Sequence, residues 1–401
     1  MHSKVENVPA IRFKGFKDVW VQRKLGDIAE TFEYGLNAAA TDFDGINKYI
    51  RITDIDDESR EFKANNITSP NCDLSASDNY KLQDGDILFA RTGASVGKTY
   101  HYAIKDGLVY FAGFLIRARL KNAFDTGFVY QNTFTKKYGD FIRVMSQRSG
   151  QPGVNAQEYA GFSLGVPCAE EQRQLGTFFR TLDNTIAIHK RKLTGLRELK
   201  KAYLQRMFPQ EGELVPCLRF AGFTEPWVQC KLGDVAVITM GQSPDSINYT
   251  NNPLDNILVQ GNADMKNGLV IPRVWTTQIT KKADKGDIIF SVRAPVGDVG
   301  KTDYDVVLGR GVAGIKGNEF IYQTLIKMNI FNYWERITQG STFESINSTD
   351  LKESIIYIPE ETEQTLIASF FRNFDNHITA QTQKVEHLKQ LKKLYLQKML
   401  I

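Results

Sequence analysis

From Leu175 onward the chain carries an apolar seam: Leu175, Phe179, Leu182, Ile186, His189, Leu193, Leu196, Lys200, Tyr203 and Met207, in steps that alternate four and three residues. That heptad rhythm predicts a helix packed along another helix. A second seam, Ile367, Phe371, Phe374, Ile378, Gln381, Val385, Leu388, Lys392, Tyr395 and Met399, repeats the same steps. Its polar interruptions fall at matching places, Gln381 for His189 and Lys392 for Lys200. Leu199 and Leu391, beside those lysines, are expected to widen each stripe. Pro209 is expected to stop the first helix, since proline cannot continue one. Glu170-Glu171 and Glu360-Glu361 suit the positive amino ends of the two helices. Ahead of each seam the pattern changes. Ile87-Leu88-Phe89-Ala90 and Ile288-Ile289-Phe290-Ser291 are short apolar runs entered through Gly-Asp turns. Phe111-Ala112-Gly113-Phe114-Leu115-Ile116 and Val306-Val307-Leu308 read similarly, and all four predict short buried strands.

The likeness of the two halves extends to particular residues. Arg12-Phe13, Gly15-Phe16, Trp20-Val21-Gln22 and Lys24-Leu25-Gly26-Asp27 return, 207 positions later, as Arg219-Phe220, Gly222-Phe223, Trp227-Val228-Gln229 and Lys231-Leu232-Gly233-Asp234. Gly85-Asp86-Ile87 recurs as Gly286-Asp287-Ile288 at an offset of 201. The offset then settles at 192, which pairs Phe128 with Phe320, Asn155 with Asn347, Pro167 with Pro359 and Glu171-Gln172 with Glu363-Gln364. The chain is therefore a tandem duplication whose second copy is shorter in its middle, where surface loops tolerate loss.

The expected fold class is α+β: two tandem-duplicated globular domains, residues 12–167 and 218–359, each with a mixed or antiparallel sheet. Each is followed by a helical segment, 168–209 and 360–401. Two seams with matching defects in one chain most simply pair with each other, as an antiparallel intramolecular coiled coil. The seam is assigned to Phe179, Leu182, Ile186, Leu193 and Leu196 on one helix and Phe371, Phe374, Ile378, Val385 and Leu388 on the other. A helix of roughly 30–40 residues spans about 45–60 Å at about 1.5 Å per residue. Two like domains on such a spacer suit a ligand with its own repeat, and B-DNA presents equivalent major-groove faces about 34 Å apart.

Charge sharpens this only locally. The net charge is +4, with acids and bases nearly balanced. The helices are basic, however, with Lys190, Arg191, Lys192, Arg197, Lys200, Lys201 and Arg206 on one and Lys384, Lys389, Lys392, Lys393 and Lys398 on the other. These are a solvated helix face or a surface for phosphate or protein. In the globular domains the candidate DNA contacts are loop-borne, because long polar side chains reach phosphates and base edges. Arg91, Ser95 and Lys98 follow one strand, and Arg293 and Lys301 follow its counterpart. Arg148, Ser149, Gln151 and Asn155 form a second polar loop, matched by Gln339, Ser341 and Asn347.

Catalytic patterns do not stand out. Gly93-Ala94-Ser95-Val96-Gly97-Lys98-Thr99 has three residues between its glycines where a phosphate-binding loop needs four, and Gly297-Asp298-Val299-Gly300-Lys301-Thr302 has two, so both read as glycine-rich turns. His2, His101, His189, His377 and His387 form no ligand pair, and Cys72, Cys168, Cys217 and Cys230 form no Cys-x-x-Cys. The cysteines are expected to be reduced, structural thiols. No run approaches the roughly 18 apolar residues of a membrane helix, and the opening seven residues hold no apolar signal core, so a cytoplasmic location is expected.

The paired Arg-Phe-x-Gly-Phe…Trp…Lys-Leu-Gly-Asp openings, the Gly-Asp-Ile-(Leu/Ile)-Phe strands and the Pro…Glu-Gln junctions resemble the specificity subunits of Type I restriction–modification systems over nearly the whole chain. The resemblance implies two target-recognition domains, each reading half of a split, asymmetric DNA site. It implies helices that set the spacer and dock two modification subunits, with motor–nuclease subunits joining to cleave unmodified DNA. The chain itself would be non-catalytic and bind no cofactor; S-adenosylmethionine, ATP and Mg would sit on the partner subunits. A two-armed protein scaffold that touches no DNA, and a fused methyltransferase or nuclease, are the alternatives. Salt-sensitive DNA affinity separates the scaffold from a DNA reader. A homodimeric rod, with the seams pairing between chains, would show in sedimentation.

Overall fold

The computed structural model describes residues 8–63, 65–147, 152–338 and 345–401. It divides into two compact units, Met1–Lys190 with Lys384–Ile401, and Arg191–Gln383. Each unit thus holds one globular domain, half of one long helix and half of the other.

In the first unit, Val21–Lys24 pairs antiparallel with Ser163–Val166. An antiparallel sheet runs Ala29–Tyr34, Leu115–Leu120, Ile87–Ala90, Thr99–His101. A mixed sheet runs Ala39–Asp42, Thr68–Asn71, Lys48–Ile50, Val109–Phe111, its last pair parallel. The second unit repeats the plan. Val228–Lys231 pairs with Ile355–Ile358. A six-stranded sheet contains Val237–Met240, Val312–Lys316, Ile288–Ser291 and Val299–Lys301 in that order. A five-stranded mixed sheet contains the parallel pair Asn256–Val259 and Val306–Leu308.

Local chemistry explains the entries to the central strands. Gly85 and Gly286 take φ of +86° and +96°, a region that side chains resist. The following aspartate closes each turn: Asp86 accepts from the Gln83 N–H at 2.8 Å and Asp287 from the Asp284 N–H at 2.8 Å. Ile87–Ala90 and Ile288–Ser291 are buried at every position, which is why they read as continuous apolar runs. The run Phe111–Ile116 was expected to be one strand; instead Val109–Phe111 ends in a turn, and Leu115–Leu120 begins another strand in the other sheet. The apolar run hid the break because both strands are buried.

The helices are Ala169–Met207 and Glu361–Met399, and within each unit their segments run antiparallel. In the first unit Phe178 meets Tyr395 edge-on at 5.3 Å, and Lys392 pairs with Asp183 at 2.6 Å. In the second unit Tyr203 meets Phe370 at 5.0 Å, and Lys200 pairs with Asp375 at 2.6 Å. Each pair is its counterpart displaced by 192 positions, so the lysines that interrupt the seams are ion-pair donors to the facing helix. Gln131 and Gln323 extend the pattern by donating to Asp183 and Asp375 at 2.9 and 2.7 Å. Phe179, Ile186, Leu193, Phe371, Val385 and Leu388 are buried; Leu182, Leu196, Phe374 and Ile378 are half-buried. Leu199 is 46% exposed and does not widen the stripe, whereas Leu204 is fully buried. The two lie five residues apart, which at about 100° per residue sets them about 140° apart around the helix.

Each unit has its own core. Trp20, Ile28, Phe89, Phe128 and Phe179 pack with Leu396 and Met399 in the first. Trp227, Phe290, Phe320 and Phe371 pack with Leu204 and Met207 in the second. The duplicated openings latch onto the long helices. Arg12 donates to both oxygens of Glu171 at 2.8 and 2.7 Å, and Arg219 to both of Glu363 at 2.7 and 2.8 Å. Gln172 and Gln364 then donate to the carbonyls of Pro167 and Pro359, each at 2.9 Å. The cysteines are free thiols: Cys72, Cys168 and Cys217 are exposed and only Cys230 is half-buried, so a packing role is not what three of them have.

Candidate nucleic-acid interface

In the first unit the strand Ile87–Ala90 leads into a loop, residues 91–98, that turns through Gly93–Ser95 and returns as Thr99–His101. The loop is held at its root. Gly97, at φ +81°, donates to the Ala90 carbonyl at 3.0 Å. The Tyr159 hydroxyl donates to the same carbonyl at 2.7 Å and accepts from the Gly97 N–H at 3.1 Å, while the Tyr138 hydroxyl donates to the Gly97 carbonyl at 3.1 Å. Burial pushes both tyrosines up from their ordinary ionisation, so they remain neutral donors. A Cβ on Gly97 would lie 2.7 Å from Ile142. The loop is therefore a fixed platform.

The structure brings this loop against the second polar loop expected from the sequence. Val154 donates to the Arg91 carbonyl at 2.9 Å, Gly93 donates to the Pro152 carbonyl at 3.0 Å, and Thr92 bridges Gly153. The second unit repeats the junction: Ile346 donates to the Val292 carbonyl at 2.9 Å, and Arg293 bridges Ser345. Residues separated by about 60 positions thus form one polar edge in each unit.

The candidates stand in different situations there. Arg91 lies 4.8 Å over the Tyr34 ring, and Ser95 is half-buried in the turn. Lys98 pairs with Asp57, whose carboxyl is held below its usual range by that hydrogen bond. Arg293 is exposed, and among the described residues it has no acidic partner. Asn155 and Asn347 cap the helices Ala156–Ala160 and Ser348–Glu353, accepting from the Glu158 and Asp350 N–H groups at 2.9 and 3.0 Å. That recurrence at an offset of 192 reflects capping. Arg148, Ser149, Gln151, Gln339 and Ser341 lie outside the described residues.

Lys301 is not the counterpart of Lys98. In the sheets Ile87 faces His101 and Ile288 faces Lys301; Phe89 faces Thr99 and Phe290 faces Val299. Gly97 therefore matches Gly297, and Lys98 matches Asp298. The shared Gly-Lys-Thr letters misled because the second loop is one residue shorter. Lys301 instead lies 4.4 Å over Tyr322 and pairs with Glu319, while His101 stacks on Tyr130 at 5.2 Å with Nε2 3.0 Å from the Thr126 hydroxyl.

His101 yields a pH prediction. Burial lowers its basicity, with nearby carboxylates opposing more weakly. The unfolded chain, with an ordinary imidazole near about 6.5, takes up the proton first. The neutral ring is fully compatible with the fold above that pH, and stability falls as pH drops through about 6.5 towards the lower folded value. His101→Gln removes this dependence, so the stability difference between wild type and variant should change between pH 7.5 and 5.5, to the disadvantage of wild type at the lower pH. Thermal unfolding of both across that range checks it; parallel curves refute it.

Tyr34, Gln242, Ser243 and Arg310 also reach this edge and were not singled out from the sequence. The signal was available: Gly35, which follows Tyr34, recurs at an offset of 206 as Gly241, just before Gln242 and Ser243, and a Cβ on either glycine would lie about 2 Å from a facing carbonyl. Among the described residues no group of three His, Cys, Asp or Glu side chains is placed to hold a metal ion, and no helix is long and apolar enough to cross a membrane.

With this geometry in view, comparisons with known proteins agree across both copies. The family profile of the Type I restriction modification DNA specificity domain matches residues 17–198 and 224–390. A putative type I restriction enzyme MjaX specificity subunit from Methanocaldococcus jannaschii is 28% identical over 410 residues, covering 97% of this chain and 95% of that protein. Two solved structures share the fold. The S subunit of a Type-I restriction-modification system from M. genitalium aligns with a TM-score of 0.64 at 12% identity, covering 98% of this chain and 99% of that one. A chain from a study of complex assembly and conformational transition in a type I R-M system aligns with a TM-score of 0.54 at 21% identity, covering 95% and 97%.

Proposed function

This chain belongs to the Type I restriction–modification DNA specificity family, and from that premise we propose that its two polar loop edges read the two halves of a split DNA site. One observation carries this reading beyond family membership. The same junction of two loops is built at matched positions in both units, on matched scaffolds, yet it presents different side chains. Equal frames with unequal contacts suit two half-sites of different sequence. The chain is a DNA-specificity subunit without catalysis of its own, and neither the scaffold nor the fused enzyme is favoured.

The finer assignments follow as proposals. Residues 12–167 and 218–359 are the target-recognition domains, and 168–209 and 360–401 are the helical spacer that sets the distance between half-sites. Arg91, Ser95, Lys98, Arg148, Ser149, Gln151 and Asn155 in one domain, with Arg293, Gln339, Ser341 and Asn347 in the other, are candidate contacts; Lys301 is a weaker one, given its pairing with Glu319. Methyltransferase and restriction subunits are the protein partners, two modification subunits docking on the helices, where Lys200 and Lys392 are committed to ion pairs across the helices and Lys190 and Lys389 to Glu58. S-adenosylmethionine, ATP and Mg would be bound by those partners, and the complex would work in the cytoplasm.

Methylome sequencing of cells expressing this chain with its modification subunit tests the reading. A split, asymmetric motif carrying methyladenine on both strands, lost when this chain is deleted, is expected. Methylation by an active modification subunit that does not depend on this chain would overturn it.

A further inference from the structure

Within the Arg191–Gln383 unit, three turns meet at one end of the sheets. They follow the strands Val237–Met240 and Ile288–Ser291 and connect Val306–Leu308 to Val312–Lys316. Backbone hydrogen bonds lock them together. Gly241 donates to the Val312 carbonyl at 3.0 Å, Gln242 to Leu308 at 2.8 Å, Gly309 to Val259 at 2.7 Å and Val292 to Gly311 at 2.9 Å. The packing leaves no slack: a Cβ on Gly241 would lie 2.1 Å from the Gly309 carbonyl oxygen, and one on Gly311 would lie 2.1 Å from that of Gln260.

Arg310 stands on this frame. Its N–H donates to the Ser243 hydroxyl at 3.2 Å, and its side chain is exposed. Its electrostatic situation differs from that of its neighbours. In the globular part of this unit Arg219 pairs with Glu363, Arg273 with Asp264 and Arg336 with Glu211. Arg293 and Arg310 have no acidic partner among the described residues, and both lie at this corner. In the first unit the matching turn has Gly113 where Arg310 stands, followed by Phe114, which is 59% exposed. The same corner therefore offers an aromatic ring in one unit and a free guanidinium in the other.

We propose that Arg310 is a specificity-determining residue that recognises a guanine in the half-site read by this unit. This rests on the DNA-reading function proposed above. A guanidinium presents two parallel N–H donors that match guanine O6 and N7 on the major-groove edge, and no other base offers two acceptors there. The locked turn fixes the backbone from which the fork projects.

The test uses the full chain expressed with its modification subunit, as wild type, Arg310→Ala and Arg310→Lys. Exchange of residues 12–167 first identifies which half-site belongs to the other unit. In the remaining half-site, wild type should require a G·C pair at one position. In Arg310→Ala that position should relax, its preference falling roughly 10- to 100-fold, while the other half-site stays as it was. Arg310→Lys should relax too, because it keeps the charge and loses the fork; it also controls for a fold that fails in the alanine variant. An unchanged motif in both variants overturns the role of Arg310 alone. An equal loss of affinity for cognate and unrelated duplex, with a salt slope shallower by about one, makes it a phosphate contact and also overturns it. Wild-type methylation that does not require this chain removes the DNA-reading function itself.

Discussion

Alanine in place of Glu171 should cost the first unit about 3–5 kcal/mol, the range for removing one partner of a buried ion pair. Glu171 is 1% exposed and the Arg12 side chain 10% exposed, so neither can turn to water when its partner is lost. The carboxylate accepts both donors of the Arg12 fork and also the Trp20 indole N–H at 3.2 Å. The variant therefore leaves the indole unpaired and the guanidinium without its carboxylate, held only by the Asp18 carbonyl at 2.9 Å. Because Arg12 and Glu171 tie the opening segment to the long helix, hydrogen exchange should first rise around residues 11–27. Urea unfolding of the full chain measures the loss, and a double-mutant cycle with Arg12→Ala should show the two changes far from additive. Glu363→Ala gives an internal comparison. Arg219 is held in the same way, but the Trp227 indole N–H has no hydrogen-bond partner among the described residues. Its loss should be smaller by about 1 kcal/mol, the worth of one hydrogen bond. A loss below about 1 kcal/mol for Glu171→Ala would mean the latch is incidental.

Exchanging residues 12–167 for the corresponding domain of a relative should change one half-site of the methylated motif completely and leave the other intact. The polar edge formed by residues 91–98 and 152–155 lies in the first unit, and its counterpart lies in the second, each on a separate core. The graft must respect the footing of the domain on its helices. Trp20 packs against Phe128 at 5.9 Å, in a core that includes Phe179, Leu396 and Met399. Gly165 and Gly176 leave no room for a side chain beside Ile401 and Asp125. A donor that keeps Arg12, Trp20 and Gly165, and that leaves Gly176 of the retained helix room beside the residue at Asp125, should assemble; one that does not should fail to fold before it fails to read DNA. Methylome sequencing of the chimaera decides. A change in both half-sites would refute the division of labour.

The sequence alone determined the features that are periodic or repeated. Heptad steps placed both long helices, because a helix that buries a stripe must repeat its apolar positions about every 3.5 residues. Recurrence at fixed offsets exposed the duplication and marked Arg12, Trp20, Glu171 and Gln172 with their counterparts, although not what they do. Gly-Asp before an apolar run marked buried strands, because the turn chemistry and the burial are both local. Several matters needed the tertiary structure. The Arg12–Glu171 latch joins residues 159 positions apart, and the meeting of Arg91 with Val154 depends on where a whole sheet folds back. Strand register placed Lys301 opposite Ile288, where His101 stands in the first copy, although the Gly-Lys-Thr letters aligned it with Lys98. Side chains alternate between faces along a strand, so a register decided by long-range hydrogen bonds, not by neighbouring letters, selects what a residue touches. For the same reason the corner that carries Arg310 was invisible in the sequence: its three turns come from stretches about 20 to 70 residues apart and become one surface only when the sheets close.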